Sequence, residues 1–225
     1  MDSLKQLNHM IIECRKCSRL VRWREAAAKN PPRRYQGMKY WAKPLPGFGD
    51  PQARLLIVGL APAAHGGNRT GRMFTGDRSG DWLYAALYAF GFANQQTSQH
   101  GDDGLELKDC YITAAVHCAP PANKPVLSEF EHCRVFLVRE LGIMTQVRVV
   151  IVLGKIAFDS FLRAYRDTGR TMVKPRPTFG HGRSFVLPDG LTLICSYHPS
   201  QQNTFTGRLT QSMFHSVFEQ ARSAL

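Results

Sequence analysis

Four short runs of apolar residues, separated by stretches with helical periodicity, constrain the fold of this chain most. The runs are RLLIVG, CYITAAV, RVVIVLG and TLICSY, at residues 54–59, 110–116, 148–154 and 192–197. Each run is continuous rather than alternating, which is typical of strands buried on both faces of a parallel sheet. The pattern predicts a single-domain three-layer α/β/α sandwich with a central, mainly parallel four-stranded sheet.

Apolar positions at helical spacing predict helices at residues 79–91, 126–141, 154–166 and 208–225. In the first of these, Ser79 or Asp81 can cap the helix and Gly91 can end it. The segment up to about Lys29 is predicted to be helical and interrupted by a turn at CRKC. Residues 30–51 are rich in Pro, Gly and aromatic residues, which predicts an irregular connection.

Composition narrows the class of protein. A chain of 225 residues with 44% hydrophobic content can bury one substantial core, so we expect one domain over residues 1–225. No apolar run is long enough to span a bilayer, and the first residues lack a signal-peptide pattern. We therefore expect a cytoplasmic protein. The net charge of +12 fits either an ordinary basic protein or one that binds a polyanion, of which nucleic acid is the commonest.

The stretch GLAPAAHGGNRTGRMFTGDRSG, residues 59–80, follows the first apolar run and contains six glycines. It is neither a P-loop nor the G-x-G-x-x-G dinucleotide fingerprint. The stretch HPSQQNTFTGRLT, residues 198–210, follows the last apolar run. Because ligands bind at the carboxyl ends of the strands in such folds, we expect both stretches to form one site.

Four of the six cysteines have the spacing of a metal or cluster site. Cys14-x2-Cys17 is followed about a hundred residues later by Cys118-x14-Cys133. Four thiolates suit a [4Fe–4S] cluster and also a structural zinc ion, and the spacing leaves both open. Cys110 and Cys195 fall within predicted strands and are expected to be buried apolar residues.

Three stretches of the chain and the placement of its cysteines carry a family resemblance. The stretches are residues 59–80, HCAPPANKP at residues 117–125, and residues 198–210. In these features the chain resembles the uracil-DNA glycosylase superfamily. The closest resemblance is to its family 5, the B-type enzymes with an iron–sulfur cluster. Families 1 and 4 carry a polar or acidic residue early in the first motif, where this chain reads GLAPA. The resemblance implies a DNA repair enzyme without lyase activity, which flips a damaged base and hydrolyses its N-glycosidic bond.

By this resemblance, three residues are expected to carry the chemistry. His198 donates a hydrogen bond to a carbonyl oxygen of the leaving base, and Asn123 lines the base pocket. Asp77 positions water or stabilises the cationic sugar. From the residues alone, Asp77 could instead cap the following helix and Asn123 could instead form a turn.

The remaining predicted site residues bind the base or the DNA. The base pocket is expected to include Gly59, Ala61, His65 and Phe74, although an aromatic side chain such as Phe74 could also belong to the core. The strand-separating loop is expected to present Gln201, Gln202 and Asn203 to the duplex, with Arg208 near a phosphate.

The resemblance also implies a cofactor and partners. Cys14, Cys17, Cys118 and Cys133 are expected to hold a structural [4Fe–4S] cluster that packs the N-terminal residues 1–50, with zinc as the alternative. We expect a monomer that acts on double-stranded DNA with a damaged base, with single-stranded DNA as a second substrate, and that associates with the nucleoid through DNA.

The resemblance further implies that hypoxanthine, xanthine and ethenocytosine are removed as well as uracil. The alternative from another class is a non-catalytic iron–sulfur protein that binds nucleic acid or senses redox state.

Overall fold

The centre of the structure is one six-stranded sheet. The computed structural model describes residues 3–225, so the first two residues of the predicted domain lie outside the described residues. The strands are β1 (Phe48–Gly49), β2 (Leu55–Gly59), β3 (Cys110–Ala114), β4 (Val149–Leu153), β5 (Ser184–Val186) and β6 (Thr192–Ser196). Their order is β1-β3-β2-β4-β6-β5. The four inner strands are parallel to one another, and β1 and β5 pair antiparallel at the two edges.

The four predicted strands are the four parallel strands of the sheet. The predicted number of strands was wrong, because the sheet has one additional strand at each edge. The strand β1 has only two residues, and β5 has two exposed residues among its three. Short, partly solvated edge strands do not need a continuous apolar run, so the criterion that found the inner strands could not find them.

Helices cover both faces of the sheet, which confirms the three-layer architecture. On one face, side chains such as Leu55 and Ile57 pack with α4 (Arg78–Ala89) and α8 (Gln211–Ser223). On the other face, their neighbours Leu56 and Val58 pack with α5 (Leu127–Ile143) and α6 (Lys155–Asp167). Successive side chains of a strand point to opposite faces, so a continuous apolar run serves both cores.

The remaining helices are α1 (Leu4–Ile12), α2 (Ser18–Lys29), α3 (Gly67–Thr70) and α7 (Gln201–Phe205). The predicted interruption at CRKC is confirmed, because Cys14 and Cys17 lie in the turn between α1 and α2. The last helix begins at Gln211 rather than at Arg208, since Thr210 is its N-cap. Within residues 3–225, no helix is both long enough and apolar enough to cross a membrane.

The start of α4 differs from the prediction. Its N-cap is Asp77, whose carboxylate accepts a hydrogen bond of 3.1 Å from the Gly80 amide. Ser79 and Asp81, the expected caps, lie in the first turn instead. All three residue types can cap a helix, so their order in the sequence did not decide which one does.

Glu140 of α5 is a buried carboxyl that gives the fold a predictable pH dependence. The Thr113 hydroxyl donates to its two oxygens at 3.0 and 2.8 Å. Burial raises the pKa of Glu140 to about 8, against the opposing effect of the Thr113 hydrogen bond. An unfolded Glu has a pKa of about 4.3, so the folded protein holds the proton more tightly. The contribution of Glu140 is therefore fully present below that value and is lost as pH rises towards 8.

We predict that Glu140→Gln changes the free energy of unfolding little near pH 4 and increasingly stabilises the protein between about pH 5 and 8. The gain should approach but not exceed roughly 1.4 kcal/mol per pH unit. Urea unfolding across this range measures it, with Glu219→Gln, an exposed glutamate of α8, as the control. A difference from wild type that stays constant with pH would contradict the prediction.

Candidate active site

A cleft of about 510 Å³ lies where the loops that follow β2, β3 and β6 meet. The loop after β2 contributes His65 and Asp77, the loop after β3 contributes Asn123, and α7 contributes Gln201. This arrangement confirms the expectation that residues 59–80 and residues 198–210 lie together at one edge of the sheet. Four of the residues predicted for the site therefore line a single cavity.

Asp77 is held tightly in the wall of this cleft. One carboxylate oxygen caps α4, and the other lies directly against Gly66, where a Cβ atom would clash with it. Burial raises the pKa of Asp77 above its ordinary value, although hydrogen bonds from the Gly80 and Ser79 amides partly oppose this. Asp77 thus combines the capping role with a place in the cleft, and the two interpretations of this residue are compatible.

Phe74 and His198 form a stacked pair, with ring centroids 5.9 Å apart and planes 29° apart. They are not among the residues that line the cleft, although each lies three residues before one that does, Asp77 and Gln201 respectively. The Phe74 ring covers Gly59, where even one added carbon would meet it at 2.8 Å. Phe74 is therefore neither a pure core residue nor fully solvated, since it packs against the core with one part of its ring.

His198 is desolvated and its position is fixed by its backbone. Burial lowers the pKa of His198 to about 4. Its carbonyl oxygen accepts hydrogen bonds of 2.8 Å from the Ser200 amide and from the Asn203 side chain. At neutral pH the ring is uncharged and carries one N–H donor.

Asn123 lies in the cleft wall with a left-handed backbone, at φ 55°. It ends the 3-10 turn Pro121–Asn123, in which Ala122 is also left-handed at φ 52°. The turn-forming interpretation of Asn123 is thus correct as to its backbone, while its exposed side chain remains free to meet a ligand. Phe74, at φ 53°, is a third such residue beside this site. Backbone strain of this kind persists where the surrounding structure enforces it, often at functional sites.

His65 is fixed by two tyrosines in the N-terminal segment. The Tyr40 hydroxyl lies 2.9 Å from His65 Nδ1, and the Tyr35 ring stacks on the imidazole at 6.0 Å. Burial lowers the pKa of His65, and the nearby Arg34 and Arg69 guanidinium groups lower it further.

No role in binding the base or the DNA was predicted for the N-terminal segment, yet this segment supplies Trp23, Arg34 and Tyr35 to the cleft wall. Arg34 and Arg69 lie on the Tyr35 ring, at 4.7 and 4.6 Å from its centroid. Trp23 comes from α2, and Arg34 and Tyr35 come from residues 30–51, the stretch predicted to be an irregular connection. The only available signal was the density of Arg, Tyr and Trp in residues 23–41.

The segment predicted to contact DNA is divided in its roles. Gln201 and Gln202 are exposed at the start of α7, whereas Asn203 turns inward to bond the His198 carbonyl. Arg208 is exposed and lies 4.7 Å from the centroid of the Tyr197 ring. Asn203 therefore braces the strand end, and its amide donor is already engaged.

Two further predicted base-pocket residues do not line the cleft. Gly59 is buried under Phe74, as described above. Ala61 packs against the hydrophobic cluster that holds the cysteines. Neither is among the residues lining the cavity, which is walled instead by Ala63 and Ala64.

The four predicted ligand cysteines converge on one hydrophobic cluster between the N-terminal helices and α5. Cys118 and Cys133 are buried in it, and Cys14 and Cys17 pack against it. The buried Arg24 donates a 3.0 Å hydrogen bond to Cys118 Sγ, while its Nε has no hydrogen-bond partner. Among residues 3–225, no three His, Cys, Asp or Glu side chains are grouped so that they could hold a metal ion. Cys110 and Cys195 are buried in strands as predicted.

Sequence comparison with known proteins places this chain in a family. A sequence model of the Uracil DNA glycosylase superfamily matches residues 46–222. The type-5 uracil-DNA glycosylase of Mycobacterium leprae is 48% identical over 221 residues, which cover 98% of this chain and 95% of the relative. That of Thermus thermophilus is 48% identical over 209 residues, covering 93% and 92%.

A more distant relative is the type-4 uracil-DNA glycosylase of Archaeoglobus fulgidus, which is 28% identical over 205 residues, covering 89% of this chain and 83% of the relative. The similarity is thus higher to type-5 than to this type-4 protein, in agreement with the GLAPA motif. The chain belongs to the uracil DNA glycosylase superfamily, with the type-5 uracil-DNA glycosylases.

Proposed function

We propose that this chain removes uracil from DNA by hydrolysing the N-glycosidic bond between base and deoxyribose, which leaves an abasic site for repair. As a member of its superfamily the chain is a uracil-DNA glycosylase. The observation that carries the site assignment is the meeting of three strand-end loops at one cleft. There Asp77 and Asn123 line the wall, and the desolvated His198 lies three residues from Gln201.

Cleavage of this bond develops negative charge on the departing base and positive charge on the sugar. Donors that already point at the base stabilise the first charge, and a carboxylate stabilises the second. His198 has a lowered pKa and is neutral, so it donates an N–H hydrogen bond to a base carbonyl without giving up a proton. Asn123 offers both an amide donor and an acceptor to the edge of the base.

Asp77 stabilises the cationic sugar or holds the attacking water. Its capping contact leaves the second carboxylate oxygen outside the helix, against Gly66. Burial raises the pKa of this carboxyl, and the same exclusion of water strengthens the attraction between its carboxylate and a nearby positive charge.

The base must leave the duplex to reach this site. Flipping costs a few kcal/mol, least for a damaged or mismatched base. We propose that Phe74, already stacked on His198, supplies the aromatic face against which the flipped base lies, a contact of about 1–3 kcal/mol in single-strand binders. Association with DNA is favoured by the net charge of +12 and by Arg34 and Arg78 at the cleft.

We further propose that the substrate range extends to hypoxanthine, xanthine and ethenocytosine. The small side chains of Ala63 and Ala64 in the cleft wall support this, since they leave room for larger bases. Single-stranded DNA as a second substrate, action as a monomer and association with the nucleoid remain predictions from the sequence.

We also propose that Cys14, Cys17, Cys118 and Cys133 hold a structural [4Fe–4S] cluster. The fit is supported by the buried Arg24, whose positive charge and unpaired Nε complement an anionic thiolate cluster. Gathered at one hydrophobic cluster, the four cysteines would supply the four thiolates that a [4Fe–4S] cluster requires, and a structural zinc ion is the alternative. When bound, the cluster would link the N-terminal segment to the rest of the domain, and it would take no part in base removal.

We predict that His198→Ala lowers the single-turnover rate of uracil release from a duplex by about a hundredfold or more, because a preorganised donor to the leaving base is lost. The assay is cleavage of the abasic product by alkali. His100→Ala, an exposed loop histidine, is the control and should release uracil at the wild-type rate. Full turnover by His198→Ala would remove this role, and binding without release by the wild type would support the non-catalytic alternative.

Asp77 can be tested with a variant that separates its two roles. Asparagine caps helices as well as aspartate does, so Asp77→Asn should change thermal stability little but lower the rate strongly. In the wild type, the rate should fall on acidification through the raised pKa of Asp77, as the carboxylate is protonated. An Asp77→Asn variant with the wild-type rate would reduce Asp77 to a helix cap, and Asp102→Asn serves as the exposed control.

Protein purified without oxygen should contain about four iron and four sulfide per chain. Cys133→Ser should lose both, whereas Cys195→Ala, a buried strand cysteine outside the set, should keep them. Stoichiometric zinc with no iron or sulfide would refute the cluster.

A further inference from the structure

Phe205, the last residue of α7, is a large aromatic side chain left in solvent. It is 66% exposed, and it belongs to none of the three hydrophobic clusters formed within residues 3–225. The guanidinium of Arg78 lies 4.2 Å from the centroid of its ring. Arg78 lines the cleft and follows Asp77 directly. Phe205 therefore stands at the rim of the site.

The element that carries Phe205 is short but firmly attached. Ser200 caps α7 through its hydroxyl, and the Asn203 side chain bonds the His198 carbonyl. Just beyond, Leu209 is fully buried and its amide donates to the Asn203 carbonyl at 2.9 Å. Phe205 and His198 are therefore held in one segment by hydrogen bonds, so a displacement of Phe205 would also act on His198.

We propose that Phe205 is the wedge that enters the duplex and stacks in the place of the flipped nucleotide. This inference rests on the proposed function. The polar candidates fit less well. Asn203 is engaged inside the protein and Gln201 faces the cleft, while the exposed Gln202 offers a polar amide rather than an apolar surface. Apolar side chains are the usual wedges between base steps, and an aromatic ring also stacks on the neighbouring bases.

Arg78 is expected to contact Phe205 in the free protein and DNA phosphates in the complex. In the free protein it covers one face of the Phe205 ring, which limits the apolar surface in water. When the ring enters the duplex, the guanidinium is released at the mouth of the cleft, where the phosphates beside the flipped nucleotide pass.

A wedge is needed only where a stack has to be opened, so the test compares duplex with single-stranded substrate. Phe205→Ala should slow single-turnover uracil release from a duplex by roughly tenfold to a hundredfold. It should leave release from single-stranded DNA within about twofold of wild type. Phe205→Leu should restore much of the duplex rate, since an apolar wedge remains. The control is Tyr88→Ala, an exposed aromatic at the far end of α4.

A second readout follows the flip itself. With 2-aminopurine beside the uracil, wild-type protein should raise the fluorescence before the base is released, and Phe205→Ala should lose most of this rise. An equal loss of activity on both substrates, or an unchanged duplex rate, would overturn the wedge. Absence of uracil release by the wild type on both substrates would instead overturn the proposed function.

Discussion

The carboxylate of Asp77 is the interaction on which the site depends, because it joins the start of a helix to the wall of the cleft. As the N-cap of α4 it satisfies an amide that would otherwise lack a partner, a contact of about 0.5–2 kcal/mol. Its second oxygen needs the space that Gly66 leaves free. A residue that caps a helix is held in one rotamer, and this rigidity is what a charge aimed at a reacting sugar requires.

The same loop is held in a strained conformation by a buried ionic network. Arg72 donates to Asp103 at 2.7 Å, to Ser98 at 2.8 Å and to Thr75 at 3.0 Å. Burial alone would raise the pKa of Asp103, but the hydrogen bonds to it, led by that of Arg72, lower it to about 2. Between Arg72 and Thr75 lies Phe74, whose left-handed backbone costs about 1–3 kcal/mol. The network fixes both sides of the strained residue and so keeps its ring against Gly59.

The sequence specified the parallel strands well, because burial on both faces leaves an unambiguous apolar run. The edge strands were not predicted, because β5 is mostly solvated and β1 is only two residues long. The meeting of the two motifs at one edge followed from the parallel sheet alone. Chain connectivity does not determine side-chain direction, however, so the inward turn of Asn203 and the choice of Asp77 over Ser79 as the cap could not be predicted. Tyr35 lies in an irregular stretch where no periodicity indicates which face is buried.

Arg24 explains how the cysteines are connected to the glycine-rich loop of the site. Its guanidinium bonds Cys118, and its carbonyl accepts a 3.1 Å hydrogen bond from the buried side chain of Asn68. Asn68 belongs to α3 in the glycine-rich stretch, and Trp23, the neighbour of Arg24, lines the cleft. One residue thus connects the cysteines, the glycine-rich loop and the cleft wall. Loss of order around the cysteines would therefore loosen the wall of the site as well as the N-terminal helices.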